Sequence, residues 1–137
     1  MDKVDCLFCK IAKKEIPSDI VYEDKDYFAF LDINPRNPGH TLVIPKKHYR
    51  WVWDVPKIDS YYKVVGKVAN GIRKALNTEW VVSLILGEEV LHAHVWLVPR
   101  FKDDGHVGSI RWLEDTKRVS KEEMAKIAEK IRKVIKS

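Results

Sequence analysis

The stretch Leu91-His92-Ala93-His94-Val95-Trp96-Leu97-Val98-Pro99 places two histidines two residues apart in an apolar, β-branched run. Such a run is typical of a buried strand, and alternate residues of a strand point to the same face. His92, His94 and Trp96 are therefore predicted to share one face of a sheet. Paired imidazoles suit metal binding, nucleophilic attack or general acid–base chemistry. Buried histidines can also merely satisfy each other and the backbone, and the spacing alone does not decide.

The elements predicted around this strand form an α+β domain. Apolar residues at helical spacing predict a long helix over 58–76, and Ser120 with Glu123 forms a capping box that starts a C-terminal helix. The other elements are a short helix over 6–14 and strands over 20–23, 27–33, 40–45, 80–86 and 91–98. Short turns between most strands predict one five-stranded antiparallel sheet with the long helix, the short N-terminal helix and the C-terminal helix.

Size and composition favour one compact domain. The chain has 137 residues, of which 45% are hydrophobic, and this suits a single core. No apolar run approaches the roughly 20 residues that a membrane span needs. The first five residues carry both charge signs and lack the apolar segment of a signal peptide, so a cytoplasmic protein that does not contact membranes is expected.

The net charge of +5 belongs to the C-terminal helix. Residues 116–137 hold eight Lys and Arg against three Glu, whereas the first 115 residues hold 17 basic and 17 acidic residues. We predict a domain over 1–115 and a basic amphipathic helix over 116–137 that packs on the same domain. A solvated helix face is the favoured interpretation of this charge, and contact with RNA or another anion is the alternative.

Both cysteines of the chain lie in Cys6-Leu7-Phe8-Cys9. Redox C-x-x-C motifs usually open a helix just after a strand, and only five residues precede this one. Half of a zinc site therefore fits the position better, and two incidental thiols near a helix start remain the alternative. His106 lies outside every motif and is expected in a surface loop. Trp51 and Trp53 are assigned to ordinary packing, with a place near the site or an interface as the alternative.

Four segments together resemble the histidine triad (HIT) family, and its Hint-like branch in particular. They are Cys6-Leu7-Phe8-Cys9-Lys10-Ile11, the run Phe28 to Pro35, the signature Pro38-Gly39-His40-Thr41-Leu42-Val43-Ile44-Pro45-Lys46-Lys47-His48, and the run Gly87 to Trp96. The resemblance covers about residues 6–101. The family pattern is His-φ-His-φ-His-φ-φ, and Trp96 replaces its third histidine here.

The resemblance implies a nucleotide hydrolase or transferase that acts at an α-phosphate. His94 falls on the histidine that attacks phosphorus and forms a nucleotidyl-histidine intermediate. A neutral imidazole nitrogen is nucleophilic near pH 7 and needs no separate deprotonation. His92 falls on the residue that orients the site, and His40 on a histidine beside the nucleophile.

The resemblance also implies a purine-nucleotide site. Asp32 falls on the acid that accepts both ribose hydroxyls, a role suited to a two-oxygen acceptor. Gly87, Glu88 and Glu89 occupy the phosphate loop, and Trp96 borders the leaving group. The base pocket falls on Leu7, Phe8, Ile11, Phe30 and Ile33.

Two departures from the family pattern bear on activity. An indole at position 96 has a single donor and far more bulk than imidazole. It can block the leaving-group side or offer a stacking surface. Glu88 and Glu89 bring negative charge to the place of the phosphate, so the backbone N–H groups of the loop are expected to do the binding.

Relatives with C-x-x-C imply a structural zinc held by Cys6, Cys9, His48 and His92, which is a sound tetrahedral ligand set. Relatives also imply a homodimer. The leading hypothesis is a hydrolase for phosphoramidates or dinucleoside polyphosphates. The alternatives are a nucleotide-binding protein with impaired catalysis and a module that binds RNA or a protein partner. Nucleic acid is a possible partner but not the favoured one.

Overall fold

The structure is a computed structural model that describes residues 5–108 and 110–136. The expected lack of a signal peptide rests partly on residues 1–4, which lie outside the described residues. The elements in chain order are α1 Leu7–Ala12, β1 Ile20–Glu23, β2 Tyr27–Leu31, β3 Thr41–Pro45, a 3-10 turn Val52–Asp54, α2 Ile58–Ala75, β4 Val81–Leu84, β5 Val95–Pro99, a 3-10 turn Ile110–Glu114 and α3 Lys121–Lys136.

The strands form one antiparallel sheet in the order β1-β2-β3-β5-β4, and this confirms the predicted five-stranded sheet with three helices. Every residue of β2, β3 and β5 is buried. These strands are covered on both faces, which explains why their sequences are nearly continuous apolar runs rather than alternating ones. The edge strands β1 and β4 are only partly buried.

Each face of the sheet has its own apolar cluster. Alternate residues such as Val95 and Leu97 pack under α2 and α3, whereas Trp96 and Val98 pack on the opposite face with α1 and Trp112. The expected division of the histidine run between two faces is therefore confirmed within β5. The face that carries Trp96 is the one on which the candidate site forms.

Helix α3 packs against α2 because Gly71 has no side chain. A Cβ atom at Gly71 would lie 2.5 Å from Cγ1 of Ile135, whereas one at Gly66 would meet nothing within 4 Å. Gly71 therefore allows the close approach of the two helices, whereas Gly66 faces open space. The start of α3 has the predicted cap, since the Glu123 N–H donates to Oγ of Ser120 at 3.1 Å.

The strand predicted over 91–98 begins at Val95 instead, so both histidines lie just before it. Contacts with a distant part of the chain explain this difference. The N–H of Ala93 donates to the carbonyl of Tyr49 at 2.7 Å, and His92 Nε2 donates to the carbonyl of Pro45 at 2.8 Å. The segment is therefore held by the chain that follows β3 and not by a strand ladder. Among the described residues, no helix has the length and hydrophobicity to cross a bilayer.

Candidate functional site

The imidazole of His94 has a fixed tautomer. Its Nδ1 lies 2.7 Å from the carbonyl oxygen of His92, and a carbonyl can only accept, so Nδ1 carries the proton. Nε2 therefore keeps its lone pair. Burial lowers the pKa of His94, and the His92 carbonyl and Asp32 oppose this effect. The ring is only 7% exposed and is neutral near pH 7.

His94 lines a cavity of about 580 Å³ on the face of the sheet that carries Trp96. Of the residues predicted for the site, the cavity wall contains Leu7, Phe8, Ile11, Phe30, Asp32, Ile33, Glu88, Glu89, His94 and Trp96. His40, His92 and Gly87 are not among the described residues that line it. The structure thus brings most of the predicted nucleotide residues to one opening, although they come from four separate segments of the chain.

The apolar end of the cavity is built around Phe8. Its ring meets that of His94 edge-on, with centroids 5.1 Å apart, and meets that of His92 at 6.0 Å. Phe30 packs edge-on against the other side of Phe8 at 5.4 Å. Such edge-to-face contacts fix ring orientation. Phe8 therefore holds the imidazole in place as well as forming part of an apolar wall.

Asp32 presents a carboxylate at the cavity wall. Its Oδ1 accepts the N–H of Asn34 at 2.8 Å. Burial raises the pKa of Asp32, whereas the Asn34 hydrogen bond and the charge of Arg36 lower it. The second oxygen, Oδ2, lies 3.6 Å from Nε2 of His40. One oxygen is thus committed to the loop, and the other is held only loosely.

His40 is fully buried behind this wall. Its Nδ1 accepts the N–H of Arg36 at 3.2 Å, so the proton of the neutral ring is on Nε2, which faces Asp32. Burial lowers the pKa of His40 to about 3. Its ring also contacts the indole of Trp96, with centroids 4.6 Å apart. His40 therefore acts on the cavity through Asp32 and Trp96.

Trp96 stands where the resemblance places a third histidine. The indole is 8% exposed and lies between His40 and the guanidinium of Arg36, whose Cζ is 4.7 Å from the ring centroid. Trp96 and His94 line the same cavity. The indole gives this end of the cavity a flat apolar surface.

Four side chains beside the cavity form a cluster with the geometry of a metal site. The ligand atoms of Cys6, Cys9, His48 and His92 all lie within 4.8 Å of one another. His92 Nδ1 is 3.2 Å from the sulfur of Cys6 and 3.5 Å from that of Cys9, and His48 Nδ1 is 3.5 Å from the sulfur of Cys9. Around tetrahedral zinc, sulfur and nitrogen ligands are about 3.6 Å apart, given bonds of about 2.3 and 2.0–2.1 Å.

The tautomer of His92 suits such a cluster. Because Nε2 donates to the carbonyl of Pro45, Nδ1 is unprotonated and faces the two sulfurs. A carbonyl that accepts the N–H of the other ring nitrogen commonly orients a histidine ligand toward a metal. The donor set and its orientation therefore fit zinc. The backbone carbonyl of His92 also accepts the Nδ1–H of His94, so the same residue connects the cluster to the imidazole of His94.

Arg50 and Trp51 contact the loop that begins at Gly87 and hold it in place. Nη2 of Arg50 donates to the Gly87 carbonyl at 2.9 Å, and its Cζ lies 3.7 Å above the ring of Trp51. Gly87 has a φ of +73°, and a Cβ there would be 2.4 Å from Cζ3 of Trp51. Trp51 thus lies beside the site, which was the alternative considered for it, and only glycine fits this place.

Sequence reasoning missed one wall of the cavity. Leu113, Glu114 and Thr116 line it, and Nε of Arg36 donates to the Leu113 carbonyl at 2.6 Å. Nothing local in residues 110–116 signals this role, because only the fold brings them over the loop of Arg36. The expectation of a surface histidine at His106 was also wrong. That ring is 7% exposed, packs on Trp112 and bonds the carbonyl of Arg36.

Comparison with known proteins agrees with this geometry. The HIT domain model matches residues 13–103. The chain belongs to the HIT family. It is 44% identical over 108 residues to an uncharacterized HIT-like protein of Methanocaldococcus jannaschii, covering 74% of this chain and 84% of that one. It is 39% identical over 100 residues to the adenosine 5'-monophosphoramidase of Saccharomyces cerevisiae, covering 69% and 62%. It is 34% identical over 107 residues to an adenylylsulfatase of Arabidopsis thaliana, covering 73% and 54%.

Solved HIT structures share the whole fold. A hypothetical histidine triad nucleotide-binding protein of Sulfolobus tokodaii matches with a TM-score of 0.80 and 31% identity, covering 96% of this chain and 92% of that one. A zinc-bound histidine triad family protein of Mycobacterium smegmatis matches with a TM-score of 0.78 and 27% identity, covering 96% and 94%. Residues 110–116, which complete the cavity, lie beyond the part of this HIT protein that the family model covers.

Proposed function

We propose that this HIT protein is a hydrolase or transferase that acts at the α-phosphate of a purine nucleotide through a nucleotidyl-His94 intermediate. One observation carries the proposal. A neutral, buried imidazole whose Nε2 keeps its lone pair lines a cavity large enough for a nucleotide, and the His92 carbonyl fixes that tautomer. The activities named for the yeast and Arabidopsis relatives are of this class.

The chemistry uses the imidazole twice. In the first step the Nε2 lone pair forms a bond to phosphorus while the bond to the leaving group breaks, and the leaving group departs with that electron pair. In the second step a water oxygen attacks phosphorus, the nitrogen–phosphorus bond breaks, and the ring regains its lone pair. The water proton passes to solvent or to a phosphate oxygen, and a nucleoside monophosphate is released.

The rest of the cavity fits a nucleoside. The apolar surface around Phe8 and Phe30 suits a purine face. Oδ2 of Asp32 is assigned to the ribose hydroxyls, since Oδ1 accepts the Asn34 N–H. The backbone N–H groups of residues 88 and 89 are assigned to the phosphate.

We infer that Cys6, Cys9, His48 and His92 hold a structural zinc ion. Zinc would tie the N-terminal segment to the segment that carries the nucleophile. The fit of the nitrogen–sulfur distances and the tautomer of His92 support this assignment. The zinc-bound protein of Mycobacterium smegmatis shows that a relative binds the same metal.

A homodimer in the cytoplasm is proposed on the family resemblance. The sheet ends at β4, an edge strand whose residues are only partly buried. Tyr62 and Ile58 of α2 are exposed on the same molecule. An edge strand and an apolar helix face are surfaces that a second copy can cover.

The second candidate function is nucleotide binding without turnover. Trp96 favours it, because an indole cannot protonate a departing amine. Catalysis and binding are separated by measuring both in the same preparation.

The test follows release of AMP from an adenosine phosphoramidate. The wild type is expected to turn over, and His94→Ala is expected to lose about 10⁴-fold or more in kcat while still binding AMP. Arg73→Ala, an exposed arginine on α2, is the matched control. Binding without turnover in the wild type would select the second candidate, and equal rates in wild type and His94→Ala would falsify the nucleophile assignment.

A further inference from the structure

The charged part of the cavity wall contains one cation among the described residues, which is Arg36. Four carboxylates line the same cavity, those of Asp32, Glu88, Glu89 and Glu114. Among these side chains, only Arg36 attracts the negative charge that a substrate brings, and the others repel it. A substrate group with one oxyanion therefore fits this wall better than a chain of several phosphates.

The charge of Arg36 is not neutralised by a carboxylate. Its Nε donates to the Leu113 carbonyl at 2.6 Å and Nη1 to the Asn34 carbonyl at 2.8 Å, so both acceptors are neutral groups. Within the described part of the chain the guanidinium forms no ion pair, and its Nη2 makes no hydrogen bond. The positive charge and the N–H groups of Nη2 are therefore available to an anion in the cavity.

The loop that carries Arg36 is held in place by the segment that follows β5. Nε2 of His106 donates to the Arg36 carbonyl at 2.6 Å, and the N–H of Lys117 donates to the Pro35 carbonyl at 2.7 Å. The guanidinium lies on the indole of Trp96, with Cζ 4.7 Å from the ring centroid. An arginine oriented in this way loses little side-chain entropy when it binds an anion.

The register of the sheet places Trp96 away from the apolar end of the cavity. Phe30 pairs with Leu42, and Leu42 pairs with Trp96, so the indole is two strands from Phe30, or about 10 Å. Trp96 follows His94 by two residues, and their Cα atoms are at most about 7 Å apart. A purine at Phe30 and a phosphorus at His94 thus leave the end with Trp96 and Arg36 for the group that departs from phosphorus.

The residue at position 96 bears on which groups can depart. When a phosphorus–nitrogen bond breaks, the amine nitrogen must gain a proton, and the indole N–H of Trp96 is too weak an acid to supply it. When a phosphorus–oxygen bond to sulfate or phosphate breaks, the oxygen keeps the electron pair as a stable anion and needs no proton. A fixed cation beside that oxygen stabilises the charge that develops on it.

We propose that Arg36, stacked on Trp96, binds the leaving group of the substrate and selects a single oxyanion, sulfate or phosphate, over an amine. This role rests on the proposed function and narrows its substrates to nucleoside 5'-phosphosulfates and diphosphates. Nε2 of His94 forms a bond to phosphorus while the phosphorus–oxygen bond to the leaving group breaks. The departing oxygen takes the electron pair, and the guanidinium of Arg36 binds the resulting anion. Water then cleaves the nitrogen–phosphorus bond.

The kinetic test compares adenosine 5'-phosphosulfate, ADP and adenosine 5'-phosphoramidate, which share the adenylate group and differ in the leaving group. In Arg36→Gln, kcat/KM for the phosphosulfate or ADP is expected to fall about tenfold or more relative to that for the phosphoramidate. Arg36→Lys keeps the charge and is expected to keep part of the difference, whereas the exposed control Arg73→Ala should match wild type. A relative loss confined to one of the two anhydrides identifies its oxyanion as the leaving group.

A purely structural role of Arg36 gives a different result. The bond from Nε to the Leu113 carbonyl holds the 110–116 wall, and damage to that wall would lower kcat/KM for all three substrates by the same factor. Equal losses, or no loss, in Arg36→Gln therefore overturn the assignment of Arg36 to the leaving group.

A binding measurement tests the same role without turnover. In His94→Ala, which lacks the nucleophile, adenosine 5'-phosphosulfate is expected to bind more tightly than AMP by calorimetry. Adding Arg36→Gln should reduce that preference about tenfold, with the affinity for AMP within about twofold.

The two measurements separate this role from the proposed catalysis. A wild type without turnover, together with an Arg36-dependent preference for the phosphosulfate, overturns the catalysis and supports the role of Arg36. An equal loss of affinity for AMP and the phosphosulfate overturns it, because Arg36 would then act on the α-phosphate. A protein that binds the phosphosulfate no better than AMP also overturns it, even when the phosphoramidate is cleaved.

Discussion

Nε2 of His40 and Oδ2 of Asp32 face each other across 3.6 Å inside the protein. The separation is too long for a hydrogen bond, and Nε2 has no partner among the described residues. Burial lowers the pKa of His40 to about 3, so the two groups do not form an ion pair at neutral pH. The pair is therefore a neutral donor beside a half-buried carboxylate, and each of the two groups gives a testable prediction.

The stability of the protein is expected to fall in acid because of His40. The folded pKa of about 3 lies below the unfolded value of about 6.5, so the unfolded state binds the proton more readily between them. This contribution is complete above about pH 6.5 and is lost as the pH falls. At pH 5 the loss is about 2 kcal/mol. His40→Asn keeps an acceptor for the Arg36 N–H and removes the titration. Denaturant unfolding at pH 7 and 5 should show a larger loss in wild type than in the variant, and equal losses would contradict the low pKa.

Asp32→Asn is expected to separate affinity from stability. Burial raises the pKa of the carboxyl, which indicates that the charged form is held at an energetic cost. The amide keeps an oxygen for the Asn34 N–H, so we expect a melting temperature no lower than that of wild type. The affinity for AMP should fall about tenfold, because the ribose hydroxyls lose a charged acceptor. The affinity for 2',3'-dideoxy-AMP should not change, and an equal loss for both ligands would place Asp32 elsewhere.

Removal of the proposed zinc ion is expected to destabilise the protein and to leave its secondary structure nearly intact. Chelation, or Cys9→Ser, removes a link between the N-terminal segment and the segment before β5. We expect a fall in melting temperature of roughly 5–10 °C, and re-addition of zinc should reverse the effect of chelation but not of the mutation. Metal content by atomic spectroscopy should be one ion per chain. A metal-free protein with an unchanged melting curve would show that the cluster is four incidental side chains.

Trp96→His is expected to trade stability for catalysis. The indole fills the space between His40 and Arg36, so its loss should lower the free energy of unfolding by about 2 kcal/mol or more. An imidazole can protonate a departing amine, and this should raise kcat for an amine leaving group by about tenfold or more. A substrate whose leaving group needs no proton should gain little. A variant with equal gains on both substrates would point to relief of steric blockage instead.

Gly87→Ala and Gly66→Ala form a matched pair. At Gly87 the φ is +73° and a Cβ would lie 2.4 Å from Cζ3 of Trp51, so the loop or the indole must shift. We expect a marked loss of affinity for AMP. At Gly66, inside α2, a Cβ meets nothing within 4 Å, and alanine should stabilise the helix by about 0.5–1 kcal/mol without affecting AMP. Similar affinities in the two variants would exclude the loop from phosphate binding.

Local patterns in the sequence determined much of the fold. The continuous apolar runs of the three central strands, the helical spacing over residues 58–76 and the cap at Ser120 each depend on neighbours within a few residues. Such features are visible without a structure, and the predicted five-stranded sheet was confirmed for that reason. The motifs that resemble the HIT family likewise depend on short, contiguous spacing.

What the sequence could not determine depends on residues that are distant in the chain. The start of β5 at Val95 follows from bonds to Pro45 and Tyr49, and the burial of His106 follows from Trp112 and the Arg36 carbonyl. The charge of Arg50 at the Gly87 loop is a contact between segments 37 residues apart. Only tertiary packing decides such contacts, because the free energy of burying a charge or an imidazole depends on every group that the fold brings around it.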